Sequence, residues 1–384
     1  MLIKAHHRGA ERAELRARFA SGSSVLMLAP RRIGKTWLLN KISEDLTLLG
    51  WLCIKIDVEG MRTENEFLRA LCNEIEKTQA LSARVKAHFF QRFKQLTTHV
   101  QDGNLYAAIG DIDPRDFLET LISSLNNEEQ PTVILVDEVA LFIHELAIEA
   151  PHQARSLLYH LRKMQQAFPR VRWFLTGSVG LDVVARRHNM LGALLGIDPY
   201  PLEPFTAAAA KSYLNELCAN GEIGYPFSLN EDSFEHLALE LGWLSPYYLR
   251  QIALQLRPTG TLADGQVHPL ATIDDIERAF TQLLSPTQRL HFAAWEEHID
   301  KNFNDIETRR LRAILDIASA EADGEIEATI LTRLSISGEV LTTRVLRTLL
   351  SSLEIDGFLQ KIVGRWCFRS GLLRRYWKEY MAYD

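Results

Sequence analysis

Residues 24–39 read SVLMLAPRRIGKTWLL, and this stretch decides what kind of fold to expect. The apolar run at 25–28 predicts a buried strand, and the apolar spacing after Gly34 predicts an amphipathic helix. The segment between them has nearly the spacing of a phosphate-binding loop, G-x-x-x-x-G-K-[ST], with Ala29 in place of the first glycine. Pro30 is expected to fix the turn instead. We therefore predict a nucleotide site on this loop.

The loop residues have separate expected roles in that site. Backbone N–H groups of such a loop, and of the helix that follows it, point at phosphate oxygens, and Gly34 leaves room for their approach. Lys35 is expected to reach the β- and γ-phosphates, and Thr36 to ligate Mg²⁺. The predicted nucleotide-contacting residues of this segment are Ala29, Pro30, Arg31, Arg32, Ile33, Gly34, Lys35, Thr36 and Trp37.

A second apolar strand, TVILVDE at 132–138, ends in two carboxylates. Unbroken apolar runs of this kind are typical of strands buried on both faces of a parallel sheet. Hydrolysis of a nucleotide needs a carboxylate that anchors the metal and a group that orients the attacking water. We predict Asp137 for the first role, beside Thr36, and Glu138 for the second.

A third strand is predicted at 171–178, where VRWFLTGS ends in hydroxyl groups. Thr176 or Ser178 is expected to stand between the acid pair and the γ-phosphate, and so to sense that phosphate. An ordinary Thr-Gly-Ser turn explains these residues equally well, because such residues are common in turns.

The order of predicted elements indicates an α/β core followed by helical segments. Strands at 51–58 and 198–205 complete a pattern in which strands alternate with helices, which favours a parallel sheet covered by helices on both faces. From 206 to 285 the chain reads as helical. After about residue 300, three helices and two short strands joined at Gly364 make the pattern of a winged helix. The predicted domains are 1–205, 206–298 and 299–384.

Composition excludes several classes of protein. Of the 384 residues, 47% are hydrophobic and 24% charged, which is ordinary for a globular chain and excludes a disordered or fibrous one. No apolar stretch is long enough to span a bilayer, and the N-terminus lacks the apolar core of a secretory leader. We therefore expect a cytoplasmic protein with no membrane partner. The net charge of −6 argues against a dedicated nucleic-acid coat, although a local basic face remains compatible with it.

These motifs together resemble the archaeal-type P-loop ATPases, an AAA+-like family of the STAND group. The matching segments extend along nearly the whole chain and are RGAERAEL (8–15), LAPRRIGKTWLL (28–39), IDVEG (56–60), ILVDE (134–138), FLTGS (174–178), PLEPF (201–205), GWLSPYYLRQIA (242–253) and FRSGLLRRYW (368–377). The resemblance implies an ASCE-type P-loop NTPase core with a three-layer α/β/α parallel sheet, a helical lid and a C-terminal winged helix. It also implies that Arg8 and Pro246 lie near the nucleotide base.

One family feature is missing from this sequence. The family often carries an arginine in an L-x-G-R context after the third strand motif, able to act on a neighbour's nucleotide. Here the matching stretch, HNMLGALLGIDP at 188–199, has no arginine. Arg186 and Arg187 lie just upstream and are the nearest candidates for an arginine finger, although two exposed helix arginines are the simpler interpretation. Slow turnover is the expected consequence of a missing finger.

The winged helix offers a choice of partner. Its predicted recognition helix, 341–355, exposes Thr343, Arg344 and Arg347, which suit phosphate or guanine contacts. Acidic residues between 321 and 327 would repel a duplex. A surface that contacts protein and senses the nucleotide state is therefore the alternative.

Three hypotheses for function follow, all with ATP and Mg²⁺ as cofactors. The first is an ATP-hydrolysing switch whose nucleotide state controls its lid, its winged helix and its assembly with a second copy or a protein partner. The second is a DNA-binding ATPase of the initiator or transposition-regulator kind, which engages duplex DNA. The third is an ATP-binding structural subunit without turnover of its own, and Glu138 argues against it.

Overall fold

The computed structural model describes residues 8–77, 114–177, 181–261 and 267–382. The chain divides into two compact units. The first consists of Met1–Ala29 and Lys35–Leu202, and the second consists of Pro30–Gly34 and Glu203–Asp384. Ser178, and the predictions for residues 80–113, lie outside the described residues.

A five-stranded parallel sheet forms the centre of the first unit, as the sequence predicts. Its strands are β1 (Val25–Leu28), β2 (Leu52–Asp57), β3 (Thr132–Asp137), β4 (Val171–Gly177) and β5 (Asp198–Pro201). They stand in the order β2-β3-β4-β1-β5, and each neighbouring pair is parallel. Every residue of β3 is buried, which explains its unbroken apolar run. The carboxyl ends of β1, β3 and β4 meet at one edge of the sheet.

Helices connect these strands and pack on them. The helices of the first unit are α1 (Gly9–Ala20), α2 (Lys35–Leu48), α3 (Glu64–Lys77), α4 (Pro114–Asn126), α5 (Val139–Glu149), α6 (Pro151–Ala167) and α7 (Leu181–Arg187). A short 3₁₀ turn, Leu191–Leu194, precedes β5. The core combines the apolar strand residues with the inner faces of these helices, for example Phe67 of α3 stacked on Phe142 of α5 with 5.6 Å between ring centroids.

A charged contact fixes α1 on α2, the helix that begins at Lys35. Asp45 is buried and accepts hydrogen bonds from Arg12 at 2.9 and 2.5 Å and from Arg16 at 3.2 Å. The hydrogen bond to Asp45 raises the pKa of Arg12 above its usual value. Because a planar guanidinium matches a carboxylate in this two-pronged way, the contact sets the orientation of the two helices.

The second unit contains a helical segment and a winged helix. Its helices are α8 (Ala207–Ala219), α9 (Glu231–Leu241), α10 (Pro246–Gln255), α11 (Ile273–Leu283), α12 (Leu290–Asn302), α13 (Asp305–Ala320), α14 (Glu327–Ile336), α15 (Thr343–Ile355) and α16 (Gly371–Tyr380). Its strands are β6 (Glu325–Ile326), β7 (Leu359–Ile362) and β8 (Arg365–Phe368), which form an antiparallel sheet in the order β6-β8-β7. A 3₁₀ turn, Pro286–Gln288, precedes α12.

Two details of the second unit differ from the sequence prediction. The second of the three helices predicted after about residue 300 has a helical pattern from Glu325 onward, but Glu325 and Ile326 pair with β8 as a third strand, and α14 begins at Glu327. That pairing is with residues about 40 positions away, so no local pattern shows it. Helix α12 was not predicted, and it contains the expected boundary between residues 298 and 299. The division into three domains stays a prediction.

Aromatic side chains form much of the core of this unit. Phe292 stacks on Tyr376 with 4.2 Å between ring centroids, and Trp295 meets Phe358 edge-on at 4.8 Å. The C-terminal aromatics belong to this core, since at most 6% of each of Trp366, Phe368, Tyr376 and Trp377 is exposed.

Among the described residues, no helix has the length and apolar character needed to cross a bilayer.

Candidate functional site

The end of β3 brings three of the predicted site residues together. Asp137 is buried at the last position of the strand, and its Oδ1 accepts a hydrogen bond from the hydroxyl of Thr176 on the adjacent strand β4. The backbone N–H of Glu138 donates to the same oxygen at 3.1 Å. Both hydrogen bonds that described residues give to this carboxylate go to Oδ1, so Oδ2 remains available to a further ligand.

Glu138 has an unusual backbone conformation. It lies at the N-cap of α5 with φ 57° and ψ 29°, in the left-handed region that few residues other than glycine adopt. Such conformations cost of order 1–3 kcal/mol and cluster at functional sites. The conformation turns the chain directly from the end of β3 into a helix. The half-buried carboxyl side chain of Glu138 therefore follows immediately after Asp137 at the edge of the sheet.

Lys35 connects the two ends of the loop that follows β1. Its side chain is buried, and Nζ donates to the carbonyl oxygen of Ala29 at 2.9 Å. Thr36 is exposed in the first turn of α2, where backbone N–H groups lack helical partners. Gly34 has φ +95°, a conformation that suits glycine at the loop position where phosphate is expected to approach.

The rest of the loop, Pro30–Gly34, packs within the second unit. The hydroxyl of Ser245 donates to the carbonyl oxygen of Arg32 at 2.5 Å, and the Arg32 guanidinium lies 4.3 Å from the centre of the Tyr247 ring. Arg32 has φ +68°, which is also in the left-handed region. Nε of Arg31 donates to Nδ1 of His298 at 3.1 Å. The two loop arginines therefore have protein partners in this conformation.

The remaining residues predicted to contact the nucleotide, Ile33, Trp37, Pro246 and Arg8, differ in burial and in their contacts. Ile33 is buried and Trp37 is 39% exposed. Pro246 is the first residue of α10, and its Cγ lies 3.7 Å from where a Cβ on Gly34 would stand, which places it beside the loop. Arg8 is buried before α1, and its Nη1 pairs with Glu11 at 2.7 Å. The proposed proximity of Arg8 and Pro246 to a base stays a prediction.

The two candidate arginine fingers lie on α7. Arg186 and Arg187 form the last turn of that helix, and both side chains are exposed. Their exposure is compatible with contact to a second copy and equally with two surface arginines, so this role stays a prediction.

The predicted DNA-contacting residues lie on α15. Thr343, Arg344 and Arg347 are all exposed, as expected of a recognition helix. Arg347 pairs with Glu327 at 2.9 Å, and Lys361 of β7 pairs with the same carboxylate at 2.8 Å. The hydrogen bonds from Lys361 and Arg347 lower the pKa of Glu327 to about 2. Part of the positive charge of this face is therefore neutralised within the winged helix.

The donor set at the sheet edge fits Mg²⁺. Mg²⁺ prefers oxygen ligands and usually keeps several waters, with one or two carboxylates and phosphate oxygens completing its shell. Asp137 offers a buried carboxylate whose Oδ2 is available, and Thr36 offers an exposed hydroxyl at the start of α2. These are the two residues predicted to hold the metal.

A second group of ionisable residues lies elsewhere in the second unit. His236, Glu240 and Glu277 have side-chain ligand atoms within 4.8 Å of one another. Arg375 contacts both carboxylates, Glu277 at 3.1 Å, and His236 pairs with Glu277 at 2.7 Å. The guanidinium compensates the two negative charges, so we interpret this group as an ion-pair network joining α9, α11 and α16.

Sequence reasoning missed several residues at or near the site. Asp57 ends β2 in register with Asp137. Its place at the end of a predicted strand could have indicated that it lies at the same edge of the sheet as Asp137. Ser245 and His298 contact the loop from more than 200 residues away in the chain. Ser245 directly precedes Pro246, which the family resemblance places near the nucleotide base, whereas nothing in the sequence around His298 indicates its contact.

Comparison with known proteins shows the fold. No family model and no curated protein matches the sequence. A Walker-type ATPase of Pyrococcus abyssi is similar in structure, with a TM-score of 0.64 and 17% identity over 96% of this chain and 95% of that one. The ORC2 protein of Aeropyrum pernix, solved as ADPNP-ADP complexes, is similar with a TM-score of 0.58 and 13% identity over 98% and 93%. The chain therefore has a P-loop NTPase α/β fold followed by a lid and a winged helix.

Proposed function

We propose that this protein is an ATP-binding and ATP-hydrolysing switch of the AAA+ or STAND type. The observation that carries the proposal is the arrangement of Asp137, Glu138 and Thr176 at the sheet edge where the loop after β1 begins. This edge, at the carboxyl ends of the strands, is where open α/β sheets bind their ligands. The similarity in fold to a Walker-type ATPase supports the choice of nucleotide.

Each residue has a role in this proposal. The loop amides and Lys35 bind phosphate, which the start of α2 also attracts. Mg²⁺, held by Thr36 and by Asp137, would neutralise charge on the phosphates. Thr176 fixes the Asp137 carboxylate through Oδ1 and leaves Oδ2 to face the metal shell. Glu138 orients and polarises the water that attacks the γ-phosphate.

A nucleotide acts as a switch only if it binds two arrangements of the protein with different affinity. Loop residues Arg31 and Arg32 have partners on α12 and α10. A phosphate that binds their guanidinium groups therefore competes with those contacts. We propose that this competition changes the lid and winged helix and, through them, assembly with a second copy or a protein partner.

The test compares nucleotide states. Sedimentation velocity and limited proteolysis are run without nucleotide, with ADP, and with ATP on the Glu138→Gln variant, in which ATP is expected to persist. We expect ATP and ADP to give different cleavage patterns or different oligomers. Identical behaviour in both would overturn the switch, and a failure to bind ATP would overturn the nucleotide site itself.

Duplex DNA is the second candidate partner. The exposure of Thr343 and Arg344 on α15 favours it, because those positions on a recognition helix reach the major groove. The pairing of Arg347 and Lys361 with Glu327 opposes it, because a cation already paired gains less from phosphate. We therefore place a protein partner first and DNA second.

A further inference from the structure

A chain of contacts runs from the phosphate loop to the end of the recognition helix inside the second unit. Nε of Arg31 donates to Nδ1 of His298 at 3.1 Å, and Nε2 of His298 lies 3.0 Å from Oδ2 of Asp356. His298 is on α12, and Asp356 is the C-cap residue that directly follows α15. Both side chains are almost fully buried, with exposures of 1% and 3%.

The hydrogen-bond direction fixes the state of the imidazole. Since Nδ1 accepts from a guanidinium, the ring proton lies on Nε2, which faces the carboxylate of Asp356. The imidazole thus lies between a guanidinium and a carboxylate. A buried carboxylate at the C-terminal end of a helix also faces the negative end of the helix dipole, so it depends on compensation from this side.

A second contact joins the loop to the same turn. Gly357 follows Asp356 with φ +85°, and a Cβ built there would lie only 2.5 Å from Cβ of Pro30. Pro30 therefore packs directly against the turn between α15 and β7. The backbone of that turn is ordered by hydrogen bonds from Gly357 N to Glu354 O at 3.1 Å and from Phe358 N to Leu353 O at 2.9 Å.

We propose that Arg31 is a positioning residue that couples occupancy of the phosphate loop to the end of α15 through His298 and Asp356. The inference rests on the proposed ATP site. A phosphate offers a guanidinium a stronger, charge-assisted partner than an imidazole. When Arg31 turns to phosphate, His298 loses its donor at Nδ1 and Asp356 loses part of its charge compensation. The turn at Gly357 then repacks, and the positions of α15 and of the β7–β8 hairpin come to depend on which nucleotide is bound.

The test measures backbone hydrogen exchange of residues 353–359 without nucleotide, with ADP and with ATP. ATP binding is measured separately with a fluorescent ATP analogue. We expect ATP to change exchange in this segment of the wild-type protein by roughly 2- to 30-fold, the range typical of energetic coupling. In His298→Gln, ATP should still bind, because the loop keeps its contacts with Ser245 and Tyr247, while this change is lost. The matched control is His152→Gln, an exposed histidine at the start of α6.

Asp356→Asn provides a second variant in case His298→Gln is unstable, because it keeps the shape of the side chain and removes its charge. A purely structural role would lower stability in every nucleotide state alike, whereas the proposed role removes the difference between states. If the wild type binds ATP without any change at 353–359, or if Asp356→Asn keeps the full response, the coupling is overturned and the ATP site stands. A wild type that binds no ATP would overturn both.

Discussion

The Thr176 hydroxyl donates to the buried carboxylate of Asp137 across two adjacent strands, β4 and β3. Thr176 is fully buried and Asp137 is 5% exposed, so water does not replace this hydrogen bond when it is removed. The contact fixes which oxygen of Asp137 is occupied. It therefore links the position of β4, which lies beside β1 in the sheet, to the orientation of the Asp137 carboxylate, the proposed metal ligand.

Replacing Thr176 with valine removes that hydrogen bond without changing the size of the side chain much. Asp137 Oδ1 then keeps only the hydrogen bond that the Glu138 backbone N–H donates, and the loss of a hydrogen bond at a buried carboxylate costs about 1–3 kcal/mol. We expect the free energy of unfolding, measured by urea denaturation, to fall by that amount. Thr47→Val is the control, since Thr47 is exposed on α2, where its hydroxyl donates to the Ser43 carbonyl of the same helix, and it should change stability by less than about 0.5 kcal/mol.

Replacing Lys35 with alanine should weaken ATP binding by at least about tenfold, or about 1.4 kcal/mol, because it removes the cation expected to reach the phosphates. Titration with a fluorescent ATP analogue measures this directly. Lys41→Ala on the same helix is the control, since Lys41 pairs with Glu44 at 2.7 Å and has no role in the proposed site. Equal affinity for the two variants would contradict the assignment of Lys35.

Glu138→Gln should keep ATP binding and lower steady-state turnover by roughly 100- to 10,000-fold, the usual contribution of a general base. Glu145→Gln, on the same helix α5, should turn over like the wild type. Running each protein with and without duplex DNA separates the two candidate functions. Turnover raised severalfold by DNA would favour the DNA-binding ATPase, and slow turnover indifferent to DNA would favour the switch.

Arg344→Glu tests the groove model, which is the hypothesis that α15 of the winged helix binds in the major groove of duplex DNA. If α15 binds duplex DNA, this variant should weaken binding and reduce the slope of log affinity against log salt by about 0.9, because one arginine no longer neutralises a phosphate. Arg155→Glu, which replaces an exposed arginine on α6 of the first unit, makes the same change in net charge outside the winged helix. Identical DNA affinity in Arg344→Glu and Arg155→Glu would refute the groove model, and a double variant with Arg347→Glu would extend the test.

Glu327 should make stability depend on pH in acid. Its hydrogen bonds with Lys361 and Arg347 lower its pKa from 4.5 to about 2, so its contribution is complete above about pH 4.5 and is lost as the pH falls toward about 2. In urea denaturation, Glu327→Gln should therefore be less stable than the wild type at neutral pH, and the difference should shrink across that window. Glu235→Gln, at an exposed position on α9, should follow the wild type throughout.

The sequence predicted the elements that depend on local pattern. The apolar run before Asp137, the loop after Leu28 and the helix that begins at Lys35 are each visible as a periodicity or a motif, and the structure confirms them. Adjacent parallel strands end at the same edge of the sheet, so a P-loop, an acid pair and a threonine read from three strand ends were expected to converge. The contact of Thr176 with Asp137 agrees with that expectation.

What the sequence did not show depends on partners far away along the chain. Glu325 and Ile326 lie in an apparently helical stretch, but pairing with β8 makes them a strand. His298 has no distinctive neighbours, and only the packing of α12 brings it to Arg31. The left-handed conformation of Glu138 had no signal either, because glutamate has no preference for that backbone region.

Because Pro30–Gly34 packs within the second unit, the first unit cannot be produced as a separate fragment with its loop intact. The polypeptide passes from one unit to the other three times, after Ala29, after Gly34 and after Leu202. A fragment that stops at Leu202 retains the entire nucleotide motif but leaves its five central residues without the serine, tyrosine and histidine that support them. The isolated α/β half should therefore be a poor surrogate for the whole protein in nucleotide binding, and adding the C-terminal half as a separate polypeptide should restore affinity.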